Sequence, residues 1–432
     1  MQLYTIFLQH PEVCTDSRVC PKGSIFFALK GDKFNANAYA LSAIEKGCSY
    51  AVVDEKEYAI DERFILVDNV LYALQQLAKH HRKQLATTVI GITGTNGKTT
   101  TKELIAAVLK EKYNILFTQG NLNNHIGVPL TLLQLKNEHE LAIIEMGANH
   151  IGEIKELAEI ACPDYGIITN VGKAHLEGFG SFEGVKKTKS ELYEYIFRNG
   201  KDIFINIDNE NLKEMASKVG FEKFERMHTF GLENQDSKTI ANISNCSPFL
   251  EMNCSVRDKG QFSIKSQLIG SYNAENVLAA IAIGSFFNVE IEKIKIGLEK
   301  YQPTNNRSQL TITEKNKLVV DAYNANPTSL RAAILNFAQM QVDNKTLIIG
   351  DMLELGSQSE MEHQNIIDLL QQNNLKNVLL VGKEFSKTIN QFAEFSDVTE
   401  LIDYLELNPI SQHYILIKGS RGIKLEKVIP IL

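Results

Sequence analysis

The stretch Val89-Ile90-Gly91-Ile92-Thr93-Gly94-Thr95-Asn96-Gly97-Lys98-Thr99-Thr100 decides how this chain is read. An apolar run, Val89–Thr93, stops at a turn of glycine and amide, and a helical pattern, Thr100–Lys112, follows. Glycines let such a turn curl so that several backbone N–H groups face one point, and the helix N-terminus adds its positive end. In that setting Lys98 reaches β- and γ-phosphates and the Thr99 hydroxyl ligates Mg²⁺. The spacing departs from the usual phosphate loop: Ile92 stands where its first glycine would be, with Gly91 and Gly94 on either side. A glycine turn without a ligand is the plain alternative, and G-K-T-T after an apolar strand argues against it.

Outward from this stretch, Leu141–Met146, Gly166–Val171 and Asp202–Ile207 are further apolar runs that end in polar residues or glycine. Unbroken runs suit strands covered on both faces, as in a parallel sheet. Helical segments between them, such as Glu153–Ile160, complete a β–α alternation. Glu145 closes one of these strands, where a phosphate-loop fold places a second Mg²⁺ contact. Thr169-Asn170-Val171-Gly172-Lys173-Ala174-His175 closes another, at the edge where α/β ligands bind. Lys186, Lys187 and Lys189 follow on a helical pattern, ordinarily a solvated face. Glu251–Val256 and Gln261–Ile264 alternate around Asp258-Lys259-Gly260, which predicts a β-hairpin inserted in this domain.

The length, 432 residues, predicts about three domains. Texture divides the chain accordingly into an α/β protein with a small N-terminal α/β domain (1–84), a central phosphate-loop domain built on a doubly wound, mostly parallel sheet (85–304), and a C-terminal Rossmann-like α/β domain (305–432). Polar residues Arg82-Lys83-Gln84 flank the first boundary, and Gln302-Pro303-Thr304-Asn305-Asn306 marks the second. The third domain carries strand-like runs at Lys317–Asp321, Thr346–Ile349, Asn377–Val381 and Tyr414–Ile417. Asn326-Pro327 pairs an N-cap with proline at the first helical position.

Hydrophobic residues are 44% and charged residues 22%, which excludes a disordered or collagenous chain. The net charge of −7 speaks against general electrostatic binding of nucleic acid. No apolar run reaches the length of a membrane span and no signal-peptide pattern opens the chain, so a cytoplasmic protein without membrane insertion is expected. The six cysteines contain no C-x-x-C and are expected as reduced thiols.

Thr93–Thr100 resembles the ATP loop of the Mur ligases, enzymes that build the peptidoglycan precursor. The resemblance continues through GNLNNHIGVPLTLL (120–133), IIEMGANHIGEI (143–154), TNVGKAHLEGFGS (169–181), GSYNAENVLAA (270–280), DAYNANPTS (321–329), GDMLELG (350–356) and KGSRG (418–422), and the Asp16–Arg18 and Gly23–Gly31 segments resemble the family's uridine-nucleotide domain. Three of these motifs, GANHIGEI, DAYNANP and GDMLELG, resemble the branch that adds D-alanyl-D-alanine. The implied reaction is ATP-dependent amide ligation: UDP-N-acetylmuramoyl-tripeptide is phosphorylated on its terminal carboxylate, D-alanyl-D-alanine attacks the acyl phosphate, and ADP and phosphate leave.

The resemblance also implies roles. Gly94, Thr95, Asn96, Gly97, Lys98, Thr99 and Thr100 would hold the ATP phosphates, Asn273 and Asn276 would lie near adenine, and Arg307, Asp321 and Asn324 would face the nucleotide. Thr99, Glu145, His175 and Lys189 would hold Mg²⁺, with Lys189 carbamylated to an anion; Lys98, His175 and Lys189 would be the catalytic set. Ser17, Arg18, Asn123, Asn124 and His150 would face the UDP-sugar, and Lys418, Ser420 and Arg421 the peptide ends. Asn35 and Asn37 depart from the family's first-domain pattern. A monomer that closes about a hinge near 302–308 is expected. The alternatives are a relative that adds a single amino acid, folylpolyglutamate synthase, a phosphate-loop NTPase switch without ligase chemistry, and a purely structural protein.

Overall fold

The computed structural model describes residues 2–174, 176–221, 225–304 and 306–432. His175, assigned above to the metal and to catalysis, lies outside the described residues.

The central sheet has nine strands in the order Gly260–Ile269, Phe249–Val256, Thr239–Cys246, Met227–Gly231, Asp202–Asn206, Tyr165–Ile168, Thr88–Thr93, Leu141–Glu145 and Ile115–Phe117. Pairing is parallel from Ile115–Phe117 across to Thr239–Cys246. The expected hairpin is present, but Thr239–Cys246 pairs with it antiparallel, so it extends the sheet rather than standing apart as an insertion.

Successive side chains of a strand point to opposite faces. Val89 therefore joins one apolar cluster with Ala142 and Ile144, while Ile90 and Ile92 join another with Leu104 and Ile281. Both faces being covered, the run reads as uninterruptedly apolar. Gly91 fits because a Cβ there would meet Leu192, Met146 and Pro163, each at 3.2 Å. The Thr88–Thr93 strand lies between Tyr165–Ile168 and Leu141–Glu145, so the chain reverses its direction of winding beside it. The crevice at the carboxyl ends of these strands is the topological switch point, where open α/β sheets bind ligands.

The N-terminal sheet is parallel and ordered Val13–Cys14, Ile25–Phe27, Tyr50–Val53, Phe64–Leu66. Its apolar cluster is continuous with one face of the central sheet: Phe7, Ile25, Val70 and Leu74 pack into the cluster that holds Val89, Val128 and Leu132. The Val70–Gln84 helix carries this junction. Arg82, read as a polar flank, is buried there, donating to the Asp164 carboxylate at 2.9 Å and to the carbonyls of Ala161 and Cys162.

The third sheet is ordered Gln309–Ile312, Lys317–Asp321, Tyr414–Lys418, Lys345–Gly350, Val378–Val381, Ala393–Phe395, antiparallel only at its first pair. Asn326 caps the Pro327–Gln339 helix with a full capping box. All six cysteines are free, and among the described residues no helix is long and apolar enough to cross a membrane.

Candidate active site

A cleft of about 750 Å³ opens at the switch point, lined by the Thr95–Thr100 loop, Asn123, Asn124, Glu145, Asn273 and Asn276 of the central sheet's connections, and by Arg307, Asp321, Asn324 and Lys418 from the third domain. Two glycines shape the loop. Gly94 (φ +148°) and Gly97 (φ +77°) lie in the left-handed half of backbone space. A Cβ at Gly94 would sit 2.0 Å from Thr169 Oγ1, and one at Gly97 2.6 Å from Asn276 Oδ1. Gly97 also caps the Lys98–Leu109 helix, so the N-terminus of that helix opens into the cleft.

The loop is braced from beneath by the following strand end. Asn170 accepts from the backbone N–H groups of Thr95 (2.9 Å, carbonyl) and Asn96 (2.9 Å, side chain), and Thr169 Oγ1 donates to the Asn96 carbonyl at 2.6 Å. Thr95 Oγ1 accepts from the Gly172 N–H at 3.0 Å. Asn273 and Asn276, assigned to adenine, are buried and already engaged. Asn276 Nδ2 donates to Asn273 Oδ1 at 2.8 Å, and Asn276 Oδ1 accepts from Thr101 Oγ1 at 2.9 Å. They fasten the phosphate-loop helix to the buried Ala274–Phe286 helix as well as edging the cleft.

Lys98 folds back over its own loop, donating to the carbonyls of Gly94 (2.7 Å) and Thr95 (3.0 Å). Burial pulls its ammonium down to about 8, against the opposing field of Glu145. Glu145 is buried at the end of its strand. Its Oε1 accepts from Thr99 Oγ1 (3.2 Å) and Asn123 Nδ2 (2.8 Å). Its Oε2 is buried with no hydrogen-bond partner, and the fully buried Lys102 Nζ, likewise without one, stands 3.7 Å away. An unsatisfied carboxylate oxygen beside a threonine hydroxyl is a hard-oxygen donor set that fits Mg²⁺. Asn123, assigned to the sugar, lines the cleft beside this carboxylate.

Across the cleft, the Arg307 guanidinium stacks 3.7 Å from the centre of the Tyr323 ring, and its buried Nε has no partner. Lys418 is buried, with Nζ 2.6 Å from Asp321 Oδ2 and 3.2 Å from the Asn324 carbonyl. Asn324 Oδ1 accepts from the N–H of Ala325. The two domains touch directly at the loop: Asn326 Nδ2 donates to Asn96 Oδ1 at 2.8 Å. Lys173 and Glu362 pair at 2.8 Å nearby.

Of the other residues singled out in the sequence, Asn124 belongs to this lining and the rest stand apart from it. Lys189 is buried, its Nζ 5.5 Å from the centre of the Phe179 ring, and burial together with the Lys98 charge lowers it to about 7. Lys186 is likewise buried and pairs with Glu214, so of the three lysines read as a solvated face only Lys187 is exposed. Ser17 and Arg18 lie on a first-domain loop, Arg18 forked onto Asp16 with its side chain 85% exposed. Asn124 Oδ1 caps its own turn by accepting from Ile126 and Gly127, and the exposed His150 is held by Glu153. Ser420 is buried, accepting from the Leu353 N–H and donating to the Ala325 carbonyl, so its hydroxyl braces the third domain. Arg421 stands over Tyr323 at 5.5 Å. Residue-type reasoning overlooked Asn170, Lys102 and the contact made by Asn326; only the position of Asn170 after an apolar strand hinted at a role.

Known proteins match this arrangement. A family model described as the Mur ligase middle domain matches residues 92–284, and one described as the Mur ligase glutamate ligase domain matches 306–421. The UDP-N-acetylmuramoyl-tripeptide–D-alanyl-D-alanine ligase of Escherichia coli (strain K12) is 36% identical over 97% of this chain and 93% of its own. The crystal structure of MurF from Acinetobacter baumannii superposes with a TM-score of 0.85 at 31% identity, over 97% of this chain and 92% of that one. MurF of Thermotoga maritima, solved in complex with ADP, shares the fold with a TM-score of 0.86 at 24% identity, over 97% and 96%. With a glycine-curled loop facing a buried strand-end carboxylate, a third domain closing the same cleft, and this similarity along its length, the chain belongs to the Mur ligase family.

Proposed function

We propose that this enzyme joins D-alanyl-D-alanine to UDP-N-acetylmuramoyl-tripeptide, converting ATP to ADP and phosphate through an acyl phosphate. The observation that carries the reading is the single cleft in which Gly97, Lys98 and Thr99 face Glu145 while Arg307 and Lys418 enter from another domain. Relatives of the same name, similar along nearly the whole chain, support the substrate pair.

The division of labour follows from the chemistry. A carboxylate is a poor acyl donor because its leaving group would be oxide; phosphorylation supplies a better one. The loop N–H groups and the helix N-terminus bind the triphosphate and orient it. Lys98, held over the loop by two carbonyls, swings to the transferring phosphoryl and offsets its charge. Arg307, with an unpaired buried donor, contacts the same phosphates from the opposite wall. Asp321 and Asn324 position Lys418 at the edge where the peptide ends would meet. Thr99 and Glu145 would hold Mg²⁺, which supplies charge neutralisation at the phosphates when bound. Lys189 would complete that set as a carbamate, formed when its neutral amine adds to carbon dioxide and releases one proton. Ser17 and Arg18 on the first domain take the uridine nucleotide. We place the domain boundaries near residues 84 and 304.

Phosphate release measured with each substrate omitted in turn tests the reading. Release that needs both the tripeptide nucleotide and D-alanyl-D-alanine supports it; release with ATP alone, or with a single amino acid in place of the dipeptide, overturns it.

A further inference from the structure

Among the described residues, one group of metal-binding side chains lies away from the cleft: Cys14, Cys20 and Cys48 in the first domain, whose sulfurs all fall within 4.8 Å of one another. They arrive from three places. Cys14 ends the Val13–Cys14 strand, Cys20 sits on the loop that follows it, and Cys48 precedes the Tyr50–Val53 strand. The backbone holds these segments together: the Gly23 N–H donates to the Gly47 carbonyl and the Ser49 N–H to the Ser24 carbonyl, both at 2.8 Å. Cys14 and Cys48 are buried, while Cys20 is half-buried and gives the cluster its opening to solvent.

We propose that Cys14, Cys20 and Cys48 form a three-sulfur site for a thiophilic d¹⁰ cation, with zinc as the expected occupant and the Ser24 hydroxyl or a water at the fourth corner. The Cys14 and Cys48 sulfurs are 3.8 Å apart. Two sulfurs on one tetrahedral zinc, each at about 2.3 Å, stand about 3.8 Å from each other. A disulfide requires about 2.05 Å, so the observed separation matches the edge of a metal tetrahedron and not a bond. Ser24 Oγ lies 3.2 Å from the Cys48 sulfur and 3.6 Å from that of Cys14, which makes it a candidate for the fourth corner. On binding, each thiol gives its proton to water and each sulfur forms one bond to the cation. The three thiolates outweigh a divalent charge by one, and Lys46, whose field reaches Cys20 and whose Nζ donates to the Ser17 carbonyl at 2.8 Å, is placed to offset it.

The Cys20 loop carries Ser17 and Arg18, so an occupied site ties down the segment assigned to the uridine nucleotide. That consequence rests on the assignment above, whereas cation binding itself does not.

The test uses the reduced full-length chain titrated anaerobically with Co²⁺ and then Zn²⁺. A sulfur-to-cobalt charge-transfer band that saturates at one equivalent and is bleached by Zn²⁺ supports the site. Cys20→Ser is expected to weaken Zn²⁺ binding at least tenfold against a chromogenic chelator. Should that variant not fold, the wild-type chain still decides: Zn²⁺ is expected to slow alkylation of Cys20 at least tenfold while leaving Cys162 unchanged. Absence of the band, equal alkylation rates with and without Zn²⁺, or a native chain that has lost two hydrogens to a cross-link between these cysteines would each overturn the proposal. Retained uridine-nucleotide binding in Ser17 and Arg18 variants that keep the band would overturn the assignment of that loop and leave the cation site standing.

Discussion

Lys98 is the residue on which the chemistry turns. Its ammonium rests on two loop carbonyls and is already stripped of much of its water, so little reorganisation separates it from a phosphate oxygen. Lys98→Ala is expected to lower kcat by 10²-fold or more, since a charge-assisted contact is worth about 1.5–3 kcal/mol and more in a charged transition state. Single-turnover phosphate release checks this, and near-normal kcat would remove the role. Glu145 makes the complementary case: its strand-end position already predicted a Mg²⁺ contact, and the structure adds the orphaned oxygen and the Thr99 contact, which depend on how two strands and a helix pack.

At the scale of elements, the Pro327–Gln339 helix links fold to function through its cap. Asn326 Oδ1 accepts from the Ser329 N–H at 2.9 Å, while Nδ2 reaches the phosphate loop at Asn96. The two tasks separate by mutation. Asn326→Ala loses both, and thermal unfolding is expected to show a loss of about 1 kcal/mol for the cap. Asn326→Asp keeps the cap oxygen, and with it the longer bond from Asn96 Nδ2 at 3.4 Å, but loses the donor to Asn96 Oδ1, so its melting temperature should stay near wild type while the KM for ATP shifts. An unchanged KM would show that the Asn326 donor has no part in nucleotide binding. The cap was readable from Asn-Pro before a helical pattern; its second partner, 230 residues away in sequence, was not.

At the scale of the whole molecule, the domains meet differently at the two junctions. The first junction is an apolar core shared across Phe7, Val70, Leu74 and Val128, with His81 set into it: Nε2 lies 2.9 Å from the Leu135 carbonyl and Nδ1 3.3 Å from Tyr4 Oη. Burial lowers the His81 imidazole below its usual 6.5, opposed by the Leu135 carbonyl. The unfolded chain therefore takes up that proton first as pH falls. The stability His81 contributes is present above pH 6.5 and is lost as pH drops from there through the folded value. Melting curves from pH 7.5 to 5.5 should fall more steeply for the wild type than for His81→Gln; parallel curves would rule His81 out. The second junction is mixed: Ile269 and Phe249 pack into the third domain's apolar cluster with Val319 and Leu330, while at the cleft the contacts are the polar Asn96–Asn326 and Lys173–Glu362 pairs, which part readily. Small-angle scattering is expected to report a more compact particle with nucleotide and tripeptide than without, and superimposable curves would exclude closure by large domain motion.

The sequence by itself determined the α/β character, the strands around the phosphate loop and the ligase reading. The first two rest on local causes, unbroken apolar runs where a sheet is covered on both faces, glycines at positive φ and a strand-end carboxylate, while the ligase reading rests on the resemblance of its motifs. It also led to Arg307, Asp321 and Lys418, through motifs rather than through any local physical signal. The tertiary structure alone decided which polar residues look into the cleft and which hold the protein together. Asn273, Asn276 and Ser420 spend their hydrogen bonds on neighbours brought near by packing, Lys189 is sunk beside Phe179, and Asn170 braces the loop from beneath. Cys14, Cys20 and Cys48, unremarkable in order along the chain, converge for the same reason. A polar side chain's partner is set by three-dimensional proximity, and residue type fixes only what bonds it can make once the partner arrives.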